Sequence, residues 1–90
     1  MPIRALIVDD EPLARTGVAQ LLEPVEEVTV VGEAADGAEA VRQIEEQAPD
    51  LVFLDVQMPE MNGLEVVRAV GVDDMPVTIF VTAYDEYAVD

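Results

Sequence analysis

The stretch Leu51-Val52-Phe53-Leu54-Asp55-Val56-Gln57-Met58-Pro59 decides the fold. Four apolar residues run straight into a carboxylate, bounded by Pro49-Asp50 before and Pro59 after. Such a run predicts a buried strand of a parallel sheet. A carboxylate at its C-terminal end lies where open α/β sheets bind ligands, outside the carboxyl ends of the strands. A similar run, Ile3 to Val8, ends in Asp9-Asp10, and another, Val77 to Val81, ends in the hydroxyl of Thr82. If the three strands are parallel neighbours, three carboxylates and one hydroxyl converge on one sheet edge.

The segments between these runs read as helices. Pro12 suits the first turn of a helix, where its missing N–H costs nothing, and Pro24 stops that helix near Glu23. Leu13, Gly17 and Leu21 share one face at four-residue spacing, with Val18 and Leu22 beside it, and this is the expected inward face. Val28 to Gly32 reads as a second strand, more polar and so expected near the sheet edge. Asp36 is a plausible N-cap for a helix over 38–47, with Val41 and Ile44 inward and Glu39, Arg42, Glu45 and Glu46 outward. Met58 to Gly63 reads as a loop, followed by a short helix over 64–70, the fourth strand over 77–82 and the first turn of a further helix from Asp85. Strands alternating with helices of this length give βαβ units and a doubly wound parallel sheet in the order 2-1-3-4. That order sets the ends of strands 1, 3 and 4 side by side.

Composition narrows the chemistry. The chain has 90 residues, enough for one small domain, and 51% of them are hydrophobic, which favours a folded globule over a disordered tail. The net charge of −16 comes from 20 acids against four arginines, with no lysine. Such a surface repels phosphate backbones, so the segment is not expected to bind nucleic acid itself; it should attract cations and basic partner surfaces. Without cysteine or histidine, disulfides, thiolate or imidazole metal sites and serine-type triads are excluded. No stretch approaches the roughly 18 apolar residues of a membrane span, and no signal-peptide pattern opens the chain, so a soluble cytoplasmic domain is expected.

Three converging carboxylates are costly without a cation. At about 4 Å and an effective dielectric near 20, each like-charged pair costs on the order of 4 kcal/mol. Either one acid stays protonated or a hard cation sits among them. Oxygen-only ligands suit Mg²⁺, beside which a phosphoryl oxygen would find room. The parts match phosphoryl transfer, in which a carboxylate such as Asp55 can be the covalent acceptor. There are plainer readings. Asp9 and Asp10 could serve as caps for the first helix, Asp55 could bond a loop, and threonine is common in strands anyway. The spacing of the blocks favours the chemical reading.

Val8-Asp9-Asp10-Glu11, Leu54 to Gly63 and Val81-Thr82-Ala83 resemble the three characteristic blocks of response-regulator receiver domains, and Val31 to Gly37 also fits. The resemblance covers essentially the whole chain. It implies a flavodoxin-like receiver fold, with Asp55 accepting a phosphoryl group from a histidine kinase. It further implies Asp10 as a direct Mg²⁺ ligand, Asp9 acting through water, and the backbone carbonyl of Gln57 as another ligand. Thr82 matches the switch hydroxyl, Ala83 the small residue that keeps access open, and Pro59 and Gly63 the loop that shapes the site. Residues 10–15 and 82–88 also resemble the subgroup whose output is a LytTR-type DNA-binding domain.

Receivers normally continue through a fifth strand and helix, with a lysine at the end of that strand. The expectation is therefore a receiver domain over 1–90, cut in its fourth helix, lacking the last strand and helix and the output domain. The bare fourth strand, or the 82–90 segment, is expected to pair with a second copy. The implied function is a signalling module that phosphorylates and dephosphorylates itself, rather than an enzyme on external substrates. A phosphatase with an aspartate nucleophile usually supplies a second acid two residues on, where this chain has Gln57. A pseudo-receiver that binds partners without phosphorylation is the alternative.

Overall fold

The computed structural model describes residues 2–81. The expected switch positions Thr82 and Ala83, and the helix expected from Asp85, lie outside the described residues. Within them the elements alternate: β1 (Ile3–Val8), α1 (Pro12–Leu22), β2 (Val28–Ala34), α2 (Gly37–Gln47), β3 (Leu51–Asp55), α3 (Gly63–Val70), a 3₁₀ turn (Val72–Asp74) and β4 (Val77–Val81). The strands form one parallel sheet in the order β2-β1-β3-β4, as the alternation of strands and helices predicts, and the fold is flavodoxin-like. The polar second strand is an edge of this sheet.

Strand periodicity divides the apolar residues between two faces. Leu6 and Val8 of β1, with Val52 and Leu54 of β3, pack against Ala40 and Ile44 of α2, Val66 of α3 and Met58. This is the principal core. The helix ends around it are capped from within the sequence. The Asp36 carboxylate accepts from Glu39 N–H at 2.8 Å, and Asn62 and Glu65 form a reciprocal capping box. Ala48 ends α2 in the left-handed conformation, with φ 46°.

The inward face expected for α1 is corrected. Leu13 is 85% exposed and Leu21 is 76% exposed, and no residue of α1 is fully buried. The helix lies against β1 and β2 and half-buries Ala14, Gly17, Val18, Ala19 and Leu22, so Gly17, Val18 and Leu22 of the expected face turn inward while Leu13 and Leu21 do not. Arg15, one position after Ala14, turns toward β2 and meets Glu33 at 3.1 Å, on the side of the helix away from Leu13 and Leu21 that the half-buried residues share. Val77, Ile79 and Phe80 of β4 are exposed as well. The second strand also runs further than the expected Gly32. A register shift between Ala5 and Leu6 skips Val31, after which pairing continues to Ala34 opposite Val8.

The two faces predict different mutational costs. Ile44→Ala, in the principal core, should destabilise the chain by about 2–5 kcal/mol. Leu13→Ala should change stability by less than about 0.5 kcal/mol, as for surface positions generally. Urea midpoints of the two variants check the assignment; equal losses would contradict it.

Candidate functional site

The parallel order brings the ends of β1 and β3 together, and with them Asp9, Asp10 and Asp55. One carboxylate oxygen from each lies within 4.8 Å of the others. Asp9 and Asp55 are buried, whereas Asp10 is more open. They line a cleft of about 590 Å³ together with Glu11, Ala14, Gln57 and Asn62. The expected convergence of three acids is thus present. Gln57 lines the same cleft, and its N–H donates to Asp55 Oδ1 at 3.0 Å.

Each acid is held by main-chain geometry. On the β3 side, Val56 N–H donates to Val81 O at 3.3 Å and Gly63 N–H donates to Val56 O at 3.1 Å. The loop turns at Glu60, whose φ is 68°, and Met61 N–H donates to Pro59 O at 2.7 Å. Gly63 is where the start of α3 meets the acceptor strand. A Cβ there would sit 2.6 Å from Asp55 O and 3.1 Å from Val56 Cα, so only glycine permits the approach. On the β1 side, Asp9 N–H donates to Ala34 O at 3.1 Å, and Asp9 Oδ1 accepts from Glu11 N–H at 2.9 Å. Asp9 therefore bonds the turn leading into α1, as its plainer reading allowed, while its carboxylate also belongs to the cluster.

Burial pushes the Asp55 carboxyl up to about 6. The Gln57 N–H opposes this, while the charges of Asp9 and Asp10 and a side-chain hydrogen bond with Asp9 add to it. Three oxygens from hard carboxylates, crowded and partly buried, are the donor set that suits a cation of the Mg²⁺ class. The repulsion of Asp55 by the charges of Asp9 and Asp10 is what such a cation would relieve. Two further residues, Arg15 and Glu33, were not among the expected site residues. Arg15 NH1 donates to Asp9 O at 2.7 Å and its Nε donates to Glu33 Oε1 at 3.1 Å. The sequence offers a signal in the Arg15 that closes residues 10–15, but its partner on β2 becomes apparent only in the fold.

A raised carboxyl pKa has a definite sign in stability. The folded chain holds the Asp55 proton more tightly than the unfolded chain does. The resulting stabilisation is fully present below the ordinary value of 3.8 and is lost as pH rises through about 6. In chelator at pH 7 the ionised Asp55 should cost stability. Asp55→Asn should therefore stabilise the metal-free chain at pH 7 and do so progressively less toward pH 4. Thermal melts across that range check this; a benefit independent of pH would contradict it.

With this geometry, comparisons with known proteins agree on one family. Residues 5–90 match the response regulator receiver domain. The transcriptional regulatory protein BtsR of Salmonella typhi is 45% identical over 87 residues, covering 97% of this chain and 36% of that protein. A response regulatory protein of Vibrio vulnificus is 44% identical over the same shares. The chain thus spans about a third of the length of these relatives. Among solved structures, the signal receiver domain of the putative response regulator NarL from Mycobacterium tuberculosis has a TM-score of 0.84 at 40% identity, over 98% of this chain and 72% of that one. The CheY of a CheX-CheY-BeF3-Mg+2 complex from Borrelia burgdorferi has a TM-score of 0.81 at 28% identity, over 99% and 68%. The carboxylate cluster at the end of a 2-1-3-4 sheet is therefore that of a two-component response regulator, and the chain belongs to the receiver domain family.

Proposed function

We propose that this chain is a phosphoacceptor module in which Asp55 takes a phosphoryl group from a histidine kinase with the help of Mg²⁺. The observation that carries the reading is the meeting of Asp9, Asp10 and Asp55 within 4.8 Å at the open end of the sheet. Asp9, Asp10, Asp55 and the backbone carbonyl of Gln57 would hold the cation. When bound, it would neutralise charge on the phosphoryl oxygens. The Borrelia CheX-CheY complex, which contains BeF3 and Mg+2, lends support by likeness.

The chain's own residues do the positioning. Gln57 N–H holds Asp55 Oδ1 and so limits rotation of the carboxylate. A carboxylate oxygen of Asp55 attacks phosphorus, forming an O–P bond as the N–P bond of a phosphohistidine breaks and its electron pair returns to the imidazole. The product is an aspartyl phosphate, and attack by water on phosphorus regenerates Asp55. The open cleft admits donor and water alike. Thr82 is assigned the switch hydroxyl and Ala83 the small neighbour, both by resemblance. On this reading the domain is a signalling device and not an enzyme on external substrates. The added charge would bias the 82–90 segment and so set self-association and output.

A DNA-binding output is supported by the relatives named as transcriptional regulatory proteins. A LytTR-type output rests on the resemblance in residues 10–15 and 82–88. A cytoplasmic location accords with a kinase partner, and no helix among the described residues is long and apolar enough to cross a membrane. Self-association is supported by the exposed Val77, Ile79 and Phe80 on β4, since an apolar edge strand pairs readily.

Intact mass after incubation with Mg²⁺ and acetyl phosphate tests the acceptor reading. A gain of one phosphoryl group that Asp55→Asn abolishes is expected. No gain in either this chain or one extended past residue 90 would overturn it and leave a module that binds partners without phosphorylation. Light scattering tests self-association: mass should rise with concentration, and a constant monomer mass would contradict it.

A further inference from the structure

The turn after β1 is fixed differently from the turn after β3. Nothing among the described residues hydrogen-bonds the Asp10 side chain. The backbone, the Asp9–Asp10 peptide included, sets the direction of its Cα–Cβ bond and so the rotamers open to it. That peptide is gripped from one side. Arg15 NH1 donates to the Asp9 carbonyl at 2.7 Å, and the same guanidinium reaches Glu33 on β2 at 3.1 Å. The Arg15 side chain is only 17% exposed, so this contact is partly shielded from solvent and salt. The main chain at Glu33 is held in turn, because its carbonyl accepts from Gln43 Nε2 of α2 at 2.9 Å and its neighbour Ala34 accepts from Asp9 N–H, while the Glu33 side chain is 45% exposed. The acid turn is thus tied through Arg15 to the end of β2.

We propose that Arg15, anchored by Glu33, is a positioning residue for the metal site, holding the Asp9–Asp10 peptide so that the Asp10 carboxylate faces the cluster. The proposal rests on the Mg²⁺ reading above. Its mechanical content opposes simple electrostatics. A cation beside a cation site repels Mg²⁺, so by charge alone removal of Arg15 would tighten metal binding. If Arg15 orients a ligand, removal loosens binding, as loss of outer-shell partners commonly does.

The test is an NMR titration of amide resonances with Mg²⁺, following Asp9, Asp10 and Val56, in wild type, Arg15→Met, Arg15→Lys and Arg42→Ala. Arg42 is exposed on α2 and controls for net charge. Arg15→Met, which removes the donors, should raise the Mg²⁺ Kd on the order of 10-fold. Arg15→Lys keeps one donor for the Asp9 carbonyl and should lie between Met and wild type. Arg42→Ala should bind as wild type or slightly tighter. Spectra and melts in chelator report folding separately from affinity.

Binding by Arg15→Met as tight as wild type, or tighter than by Arg15→Lys, would overturn the proposal while leaving the metal reading intact. Should Arg15→Met not fold, Arg15→Lys against wild type decides: weaker binding supports the clamp and equal binding refutes it. Absence of any Mg²⁺-dependent shift in wild type would sink both this proposal and the metal reading.

Discussion

Burial of the Asp55 carboxyl beside two further acids, Asp9 and Asp10, is the constraint on which the rest of this molecule turns. Asp9, Asp10 and Asp55 bring oxygens within 4.8 Å of one another, and Asp55 is pushed up to about 6 as a result of burial and its neighbours. The local hydrogen bonds of Asp9 and Asp55 account for each acid singly but not for gathering three of them. Sheet cohesion would be served better by apolar residues at the same positions, since removing charge from water costs more than any one contact returns. The arrangement is a strain that a bound cation would relieve. The net charge of −16 adds a long-range field of the same sign.

The scaffold around the cluster explains how the strain is tolerated. The principal core lies directly beneath, with Val8, Val52 and Leu54 leading into the acidic ends of β1 and β3. The backbone beyond each strand is then fixed by short hydrogen bonds rather than by side-chain packing. Gly63 brings α3 against the acceptor turn, closer than any side chain would permit. Arg15 and Glu33 tie the acid turn to β2. Supports of this kind hold the acids in a geometry that they would otherwise leave by repelling one another.

Much of this was legible before any coordinates. The apolar run 51–54 ending in Asp55, the prolines at 12 and 24 and the Asp36 cap mark strand ends and helix starts through local chemistry, and β-α alternation then dictates the sheet order. The convergence of the acids follows from that order. What was not legible depends on relations between elements. The spacing of Leu13, Gly17 and Leu21 marks an apolar stripe, but periodicity cannot say which side of a helix meets the sheet. Here Gly17, Val18 and Leu22 are half-buried while Leu13 and Leu21 face away, and Arg15 reaches Glu33 on β2. Likewise the extra residue in β2 at Val31 leaves no mark in composition, yet it brings Ala34 level with Val8. The partner of Arg15 is 18 residues away in the chain and became a neighbour only through the β1–β2 pairing.

The most direct measurement is the titration of the Asp55 side-chain carboxyl carbon by ¹³C NMR, first in chelator and then in saturating Mg²⁺. The account predicts a midpoint near 6 without metal and a marked downward displacement with it, because the cation stabilises the ionised form. A midpoint near the ordinary 3.8 in both conditions would contradict it, showing that the three acids neither strain one another nor share a cation.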